Sequence, residues 1–167
     1  MTASPEMRTP HLPEEPRCRY VIDCGGAQLH VHARSLATAL RIDGEIDASN
    51  TDRVAQAIRH FSKLKAPLIL DLSHLDFLCV AGLRALLSLN DEHQQTRLHC
   101  SVVSGPALHR LTRVITDHGL PIVESVPEAL ELVEDGIRAR RRLVSRLARQ
   151  HEPQRKIPTT HVAGMPC

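Results

Sequence analysis

The sequence predicts an α/β domain: a mixed, mostly parallel sheet of four to five strands with about four helices packed on it. Three observations carry this. Apolar periodicity switches repeatedly between a strand-like period of two and a helix-like spacing of three and four, in the order β-β-α-β-α-β-α-β-α. Leu68-Ile69-Leu70 is an unbroken apolar run, as expected of a strand buried on both faces. Capping and breaking residues punctuate the chain where the period changes.

Gln28 to Arg34 and Ala37 to Ile42 alternate like paired strands. Ser49-Asn50-Thr51-Asp52 reads as a capping box, followed by a helix whose stripe is Val54, Ile58, Phe61 and Leu64. Pro67 ends the approach to the strand Leu68-Ile69-Leu70, which closes at Asp71. After a loop, a helix starts near Cys79 to Gly82 and repeats Leu83, Leu86, Leu87 and Leu89. Leu98 to Val103 is the next strand. Ser104-Gly105-Pro106 starts a helix with Leu108, Leu111, Val114 and Ile115, stopped by Gly119 and Pro121. Ile122-Val123 is a short strand, and Ser125-Val126-Pro127-Glu128 a second capping box. The last helix carries Leu130, Val133, Ile137, Val144 and Leu147. Arg138, Arg140, Arg141, Arg142, Arg146 and Arg149 crowd its second half, and Gly136 is a point of bending at a cost of about 1 kcal/mol relative to Ala.

The two ends read differently. Residues 1–17 hold Pro5, Pro10, Pro13 and Pro16 among polar residues, and 152–167 hold Pro153, Pro158 and Pro166. Neither buries enough apolar surface to offset its ordering entropy, so both are expected to be disordered. The organisation is therefore an arm at 1–17, a domain at 18–137, an Arg-rich helical extension at 138–151 and a tail at 152–167.

Composition narrows the function. The chain has 167 residues, 42% hydrophobic but only 2% aromatic, so aliphatic side chains must build the core. A net charge of +2 does not by itself imply nucleic acid, no helix-turn-helix pattern appears, and direct DNA binding is not expected. No segment is apolar enough to span a bilayer and no leader pattern opens the chain, so a cytoplasmic protein is expected. Cys18, Cys24, Cys79, Cys100 and Cys167 are odd in number and irregular in spacing, which argues for reduced thiols over disulfides or zinc. His30 and His32 share a strand face, but solvent-facing residues account for them, and no metal is expected. There is no Gly-rich phosphate loop and no nucleophile elbow. Asp71, His74 and Asp76 lie close in sequence, yet loop hydrogen bonds explain them, so no catalytic residue, enzyme activity or cofactor is expected.

The informative stretch is Leu68 to Leu83, LILDLSHLDFLCVAGL: a buried strand, a loop, and a helix start where free N–H groups and the positive dipole end gather. Together with Gly44-Glu45-Ile46-Asp47, the helix and Gly-Leu element of Leu108 to Leu120, and Val126-Pro-Glu-Ala-Leu130, it resembles the STAS domains of sulfate transporters and anti-sigma factor antagonists. The resemblance covers about Gln28 to Ile137 and implies a STAS-like fold and a regulatory docking module. Bacterial antagonists of that family bind an anti-sigma factor that is also a serine kinase, and phosphorylation at the head of the second helix ends the complex.

The family text at that head is Asp-Ser-Ser/Thr-Gly-Leu; this chain has Cys79-Val80-Ala81-Gly82-Leu83. Val80 occupies the phosphoacceptor position and lacks a hydroxyl, as does Ala81, so the usual switch is expected to be absent. The expected partner-binding set is Glu45, Asp47, Asn50, Ser73, Asp76, Cys79, Val80, Ala81 and Gly82. Glu45 and Asp47 would form a polar rim, although Asp47 reads equally as the residue capping the turn before the first helix. Ser73 is the nearest remaining hydroxyl, and equally a loop residue bonding its own surroundings. Cys79 at a helix N-terminus invites redox control in place of phosphate.

The function expected is thus an anti-sigma factor antagonist without the phosphoacceptor serine, its partner an anti-sigma factor of the serine kinase type. The alternative is a STAS scaffold subunit of a signalling or lipid-transport complex, in which the Arg-rich helix would contact a partner or an anionic surface. Nothing in the sequence reads as an oligomeric state.

Overall fold

The computed structural model describes residues 20–150. The expected arm at 1–17 and tail at 152–167, with Cys18 and Cys167, lie outside them. The elements are β1 (Tyr20–Asp23), β2 (Ala27–Ala33), β3 (Thr38–Ile46), α1 (Thr51–Ser62), β4 (Leu68–Asp71), β5 (Leu75–Leu78), α2 (Val80–Gln95), β6 (Cys100–Val103), α3 (Pro106–Thr112), β7 (Ile122–Val123) and α4 (Val126–Gln150). The α/β class and the four helices agree with the sequence reading. The sheet has seven strands, not four to five. The added ones are β1, an exposed edge strand, and β5, in a stretch read as loop.

The sheet order is β1-β2-β3-β4-β6-β7, with β5 pairing β3. The β1–β2 and β2–β3 pairs are antiparallel; β3–β4, β3–β5, β4–β6 and β6–β7 are parallel. Strands β4 and β5 lie in succession along the same neighbour: Arg41 pairs with Asp71, and farther along β3 Ile46 pairs with Leu78. The break between them is made by Asp71, whose Oδ1 accepts both the N–H (3.0 Å) and the hydroxyl (2.6 Å) of Ser73. It is also where Gly105 passes, so close that an added Cβ would sit 2.3 Å from the Leu72 carbonyl oxygen. Gly105 is needed here for space; its extended φ of −152° suits any residue.

One face of the sheet makes the main core. Alternation sends Leu29, Val31, Leu40, Ile42, Leu68, Leu70 and Val102 to that side. There α1 supplies Val54, Ile58 and Phe61, and α2 supplies Leu83, Leu86 and Leu89. Each such side chain contributes about 1.5–3 kcal/mol on burial. Leu64, expected on the α1 stripe, lies beyond the end of the helix and is 61% exposed. Arg59 of α1 pairs with Glu92 of α2 at 2.8 Å. On the other face Ala39, Ile69, Val103 and Val123 are buried, as are Ala129 and Val133 of α4. Helix α3 ends at Thr112, earlier than its apolar spacing implies, and Val114 is exposed.

The box expected at Ser49–Asp52 does not form: Asn50 is the N-cap and makes no side-chain capping bond, because its amide is spent on the Asp47 N–H and the Gly25 and Glu45 carbonyls, while the Ser49 N–H and hydroxyl both go to Asp47. The second box closes on one side only, the return bond going one residue too early, to Glu124 and not Ser125. Ser125 Oγ accepts the N–H of Glu128 at 3.3 Å, and Glu128 Oε2 accepts that of Glu124 at 2.8 Å.

The chain divides into two units, Met1–Glu134 and Asp135–Cys167. The described part of the second is the continuation of α4, which runs through Gly136 without interruption. There Arg138 Nη1 lies 3.8 Å from Asp135 Oδ1, Arg149 Nε donates to the Ser145 carbonyl, and Leu143, Val144 and Leu147 are exposed.

Candidate functional site

Two chain segments meet at the carboxyl end of β3. The first is the turn from β3 into α1. Asp47 Oδ1 accepts the Ser49 N–H (2.7 Å), the Ser49 hydroxyl (2.6 Å) and the Asn50 N–H (3.2 Å). The hydroxyl first, then these backbone donors, hold the Asp47 carboxyl below its ordinary value of 3.8. Asn50 is 2% exposed, and its amide works inward. Its Oδ1 accepts the Asp47 N–H (3.0 Å), and its Nδ2 donates to the carbonyls of Gly25 and Glu45, both at 2.8 Å. The same turn leans on Gly44, whose φ is +92° and where an added Cβ would collide with the Gly26 carbonyl oxygen, so there is no place for a side chain.

The second segment is β5 and the head of α2. Register sets Phe77 beside Glu45 and Leu78 beside Ile46. The Cys79 N–H then donates to the Ile46 carbonyl (2.9 Å), fixing the start of α2 to the end of β3. Cys79 is the N-cap: its extended backbone turns its sulfur back to accept the Gly82 N–H at 3.2 Å. Thr51 of α1 stands 3.8 Å from that sulfur. Gly82 is required by packing, since a Cβ would lie 2.8 Å from both Ile46 Cγ2 and Leu78 Cδ1.

The structure therefore gathers Glu45, Asp47, Asn50, Cys79, Val80, Ala81 and Gly82 at one end of the domain. Glu45, Val80 and Ala81 are exposed, Cys79 and Asp47 half-buried, and Asn50 and Gly82 buried supports. Asp76, exposed, is in β5, where its carbonyl accepts Arg110 Nη2 of α3 at 2.7 Å. Ser73 stands apart. It precedes β5, a four-residue strand, so roughly 13 Å of strand separates it from Cys79. Its hydroxyl is engaged with Asp71 and lies 2.9 Å from His74 Nδ1. His30, read as a solvent-facing strand residue, is half-buried with Nε2 3.2 Å from Asp43 Oδ2. Among the described residues no cluster of three or more His, Cys, Asp or Glu could hold a metal.

Sequence reasoning missed Phe77. It is 46% exposed, as is Val80, and it stands beside Glu45. The chain contains only two phenylalanines, and Phe61 is in the core, so the scarcity of the other was the available signal. Phe77, Val80 and Ala81 form an apolar surface at a helix head, with Glu45 and Asp76 as acidic neighbours. Such a surface suits a protein partner, aromatic anchors carrying much of the energy of protein interfaces.

A mixed sheet with helices packed on it and an exposed helix head after β5 define an α/β domain. The chain belongs to the STAS domain family, whose profile matches residues 28–129. It is 34% identical over 128 residues to osmosensory protein A of Mycobacterium tuberculosis, covering 74% of this chain and 81% of that protein. Among solved structures it is similar to an anti-sigma factor antagonist from Mycobacterium paratuberculosis, with 26% identity and a TM-score of 0.57 over 65% of this chain and 94% of that one. A Moorella thermoacetica RsbS variant shares the fold at 15% identity, with a TM-score of 0.54 over 66% of this chain and 97% of that one. No described helix is long and apolar enough to cross a membrane.

Proposed function

We propose that this protein is an anti-sigma factor antagonist of the cytoplasm. It docks an anti-sigma factor of the serine kinase type through Phe77, Val80 and Ala81, with Glu45, Asp47 and Asp76 as the polar rim. The carrying observation is the exposed, hydroxyl-free head of α2: Val80 is 46% exposed where the family pattern has its phosphoacceptor. A phosphate there would add about −1.5 to −2 of charge to an apolar docking face; with Val80 in place, the kinase has no acceptor and the complex persists. Control at this face then passes to Cys79. Oxidation of its thiol by a peroxide, which takes up two electrons and leaves as water or alcohol while the sulfur becomes a sulfenic acid, would disturb the sulfur that holds the Gly82 N–H and alter the head of α2.

The test is a titration of the purified protein against an anti-sigma kinase of its own organism, with and without ATP. Expected are a stable complex, no added phosphate, and binding at least tenfold weaker in Phe77→Ala, a truncation of about 1.4 kcal/mol or more. Phosphate added elsewhere that dissolves the complex would overturn the reading. So would unchanged affinity in both Phe77→Ala and Val80→Asp. Repeating the titration under oxidant should weaken the wild type and leave Cys79→Ser unaffected.

A further inference from the structure

A second concave site lies at the opposite end of β5. The half-buried side chains of His32 on β2 and Arg41 on β3 belong to the sheet face away from α1 and α2, since their neighbours Val31, Leu40 and Ile42 enter the main core. With Arg34, Asp71, His74 and Val126 they line a cleft of about 150 Å³. Its donors come from four elements: strand β2 and the residue after it, strand β3, the break between β4 and β5, and the head of α4.

Arg34 is the informative residue. Its Nε is buried and has no hydrogen-bond partner among the described residues. Removal from water lowers its guanidinium pKa below the ordinary value. A buried donor on a charged group, left unmatched, is costly, and buried polar groups in folded proteins are otherwise nearly always paired. Arg41 is already matched, its Nε and Nη2 reaching Asp43 Oδ1 and Oδ2, both at 2.9 Å. Asp71, the acid of this lining, is engaged too: one oxygen accepts the Ser73 N–H and hydroxyl. In this lining the Arg34 Nε is thus left as an unmatched buried donor, while Asp71 keeps its second oxygen. Val126 adds to the Arg34 donor: as the first residue of α4 it brings the positive end of that helix dipole to the cleft, and its N–H has no acceptor within the helix.

We propose that this cleft binds a small oxyanion of the phosphate or sulfate type, with Arg34 as its principal ligand and His32, His74 and the head of α4 beside it. Ligand pockets for drug-sized molecules span roughly 300–1,000 Å³. A cleft half the lower figure admits one such anion and excludes a nucleotide. The site is independent of the docking face, since the break at Ser73 and the whole of β5 lie between them.

Isothermal titration calorimetry of the full chain with sodium phosphate, at ionic strength held constant with chloride, tests this. Saturable binding at one site is expected, weakened at least tenfold in Arg34→Gln and unchanged in Arg113→Gln, an exposed arginine beyond α3. Titrating the wild type with phosphate while recording imidazole NMR signals provides a check that does not depend on a variant folding. His32 and His74 should shift, and His60 and His118 should stay. Absence of saturable binding, equal affinity in Arg34→Gln, or shifts confined to other histidines would each overturn the assignment.

Discussion

The Cys79 sulfur accepts the N–H of Gly82 at 3.2 Å and so closes the first turn of α2. A thiol thus occupies a capping position usually held by an oxygen. Sulfur is a weak acceptor, and α2 has no acidic residue in its first turn to compensate. Replacing Cys79 by Asp should therefore stabilise the domain, by about 0.5–1 kcal/mol, as a carboxylate both caps the turn and favours the dipole. Cys79→Ala should destabilise it by about 1 kcal/mol. Urea unfolding curves decide this; an Ala variant as stable as the wild type would show that the sulfur does not cap.

Asn50 holds the other half of the site from inside. Its one side chain joins the Asp47 N–H, the Gly25 carbonyl and the Glu45 carbonyl, bringing together three points of the chain that share no strand ladder there. At 2% exposure, water cannot replace these bonds without opening the turn. Asn50→Ala should cost about 2–3 kcal/mol in denaturant unfolding. Asn50→Asp should not rescue it, since a carboxylate cannot donate to the two carbonyls. A cost under about 0.5 kcal/mol, the range of ordinary surface substitutions, would refute this role.

Much of this architecture was legible because it rests on local rules. Leu68-Ile69-Leu70 announced a strand buried on both faces, and all of β4 is buried. The Gly82-Leu83 step marked the head of α2, where a Cβ on residue 82 would collide with Ile46 and Leu78. The hidden parts depend on distant partners. In β5, Leu75 and Leu78 are buried while Asp76 and Phe77 both face out, so the period of two is lost. The pairing with β3 slips between Gly44 and Glu45, which accounts for that break. At Ser49–Asp52 the pattern of a capping box was present, but Asp47 lies close enough to take the Ser49 N–H and hydroxyl that the box would use, a competition that spacing alone does not rank. The cleft around Arg34 draws on β2, β3, the Asp71–His74 turn and α4, separated by many residues in the chain.

Two carboxylates contribute to the response to acid. The Ser49 hydroxyl and nearby N–H groups hold Asp47 below its ordinary 3.8, and the hydrogen bond from Arg59, aided by its charge, holds Glu92 below its ordinary 4.5. A carboxyl with a depressed folded-state pKa binds its proton more readily once the chain unfolds. Its contribution is therefore fully present above the unfolded value and disappears as pH falls through the folded one. Stability should be flat in this respect near neutrality and decline below about pH 4.5. Asp47→Asn keeps an oxygen acceptor for the turn but has no proton to bind, and Glu92→Gln likewise retains an acceptor for Arg59. In both variants the acid limb should be shallower than in the wild type. For Asp47→Asn stability at pH 7 should change little, because that side chain is solvent-screened. Urea midpoints recorded from pH 7 to pH 3 provide the comparison; acid limbs parallel to the wild type would show that these two carboxyls are not the groups that titrate.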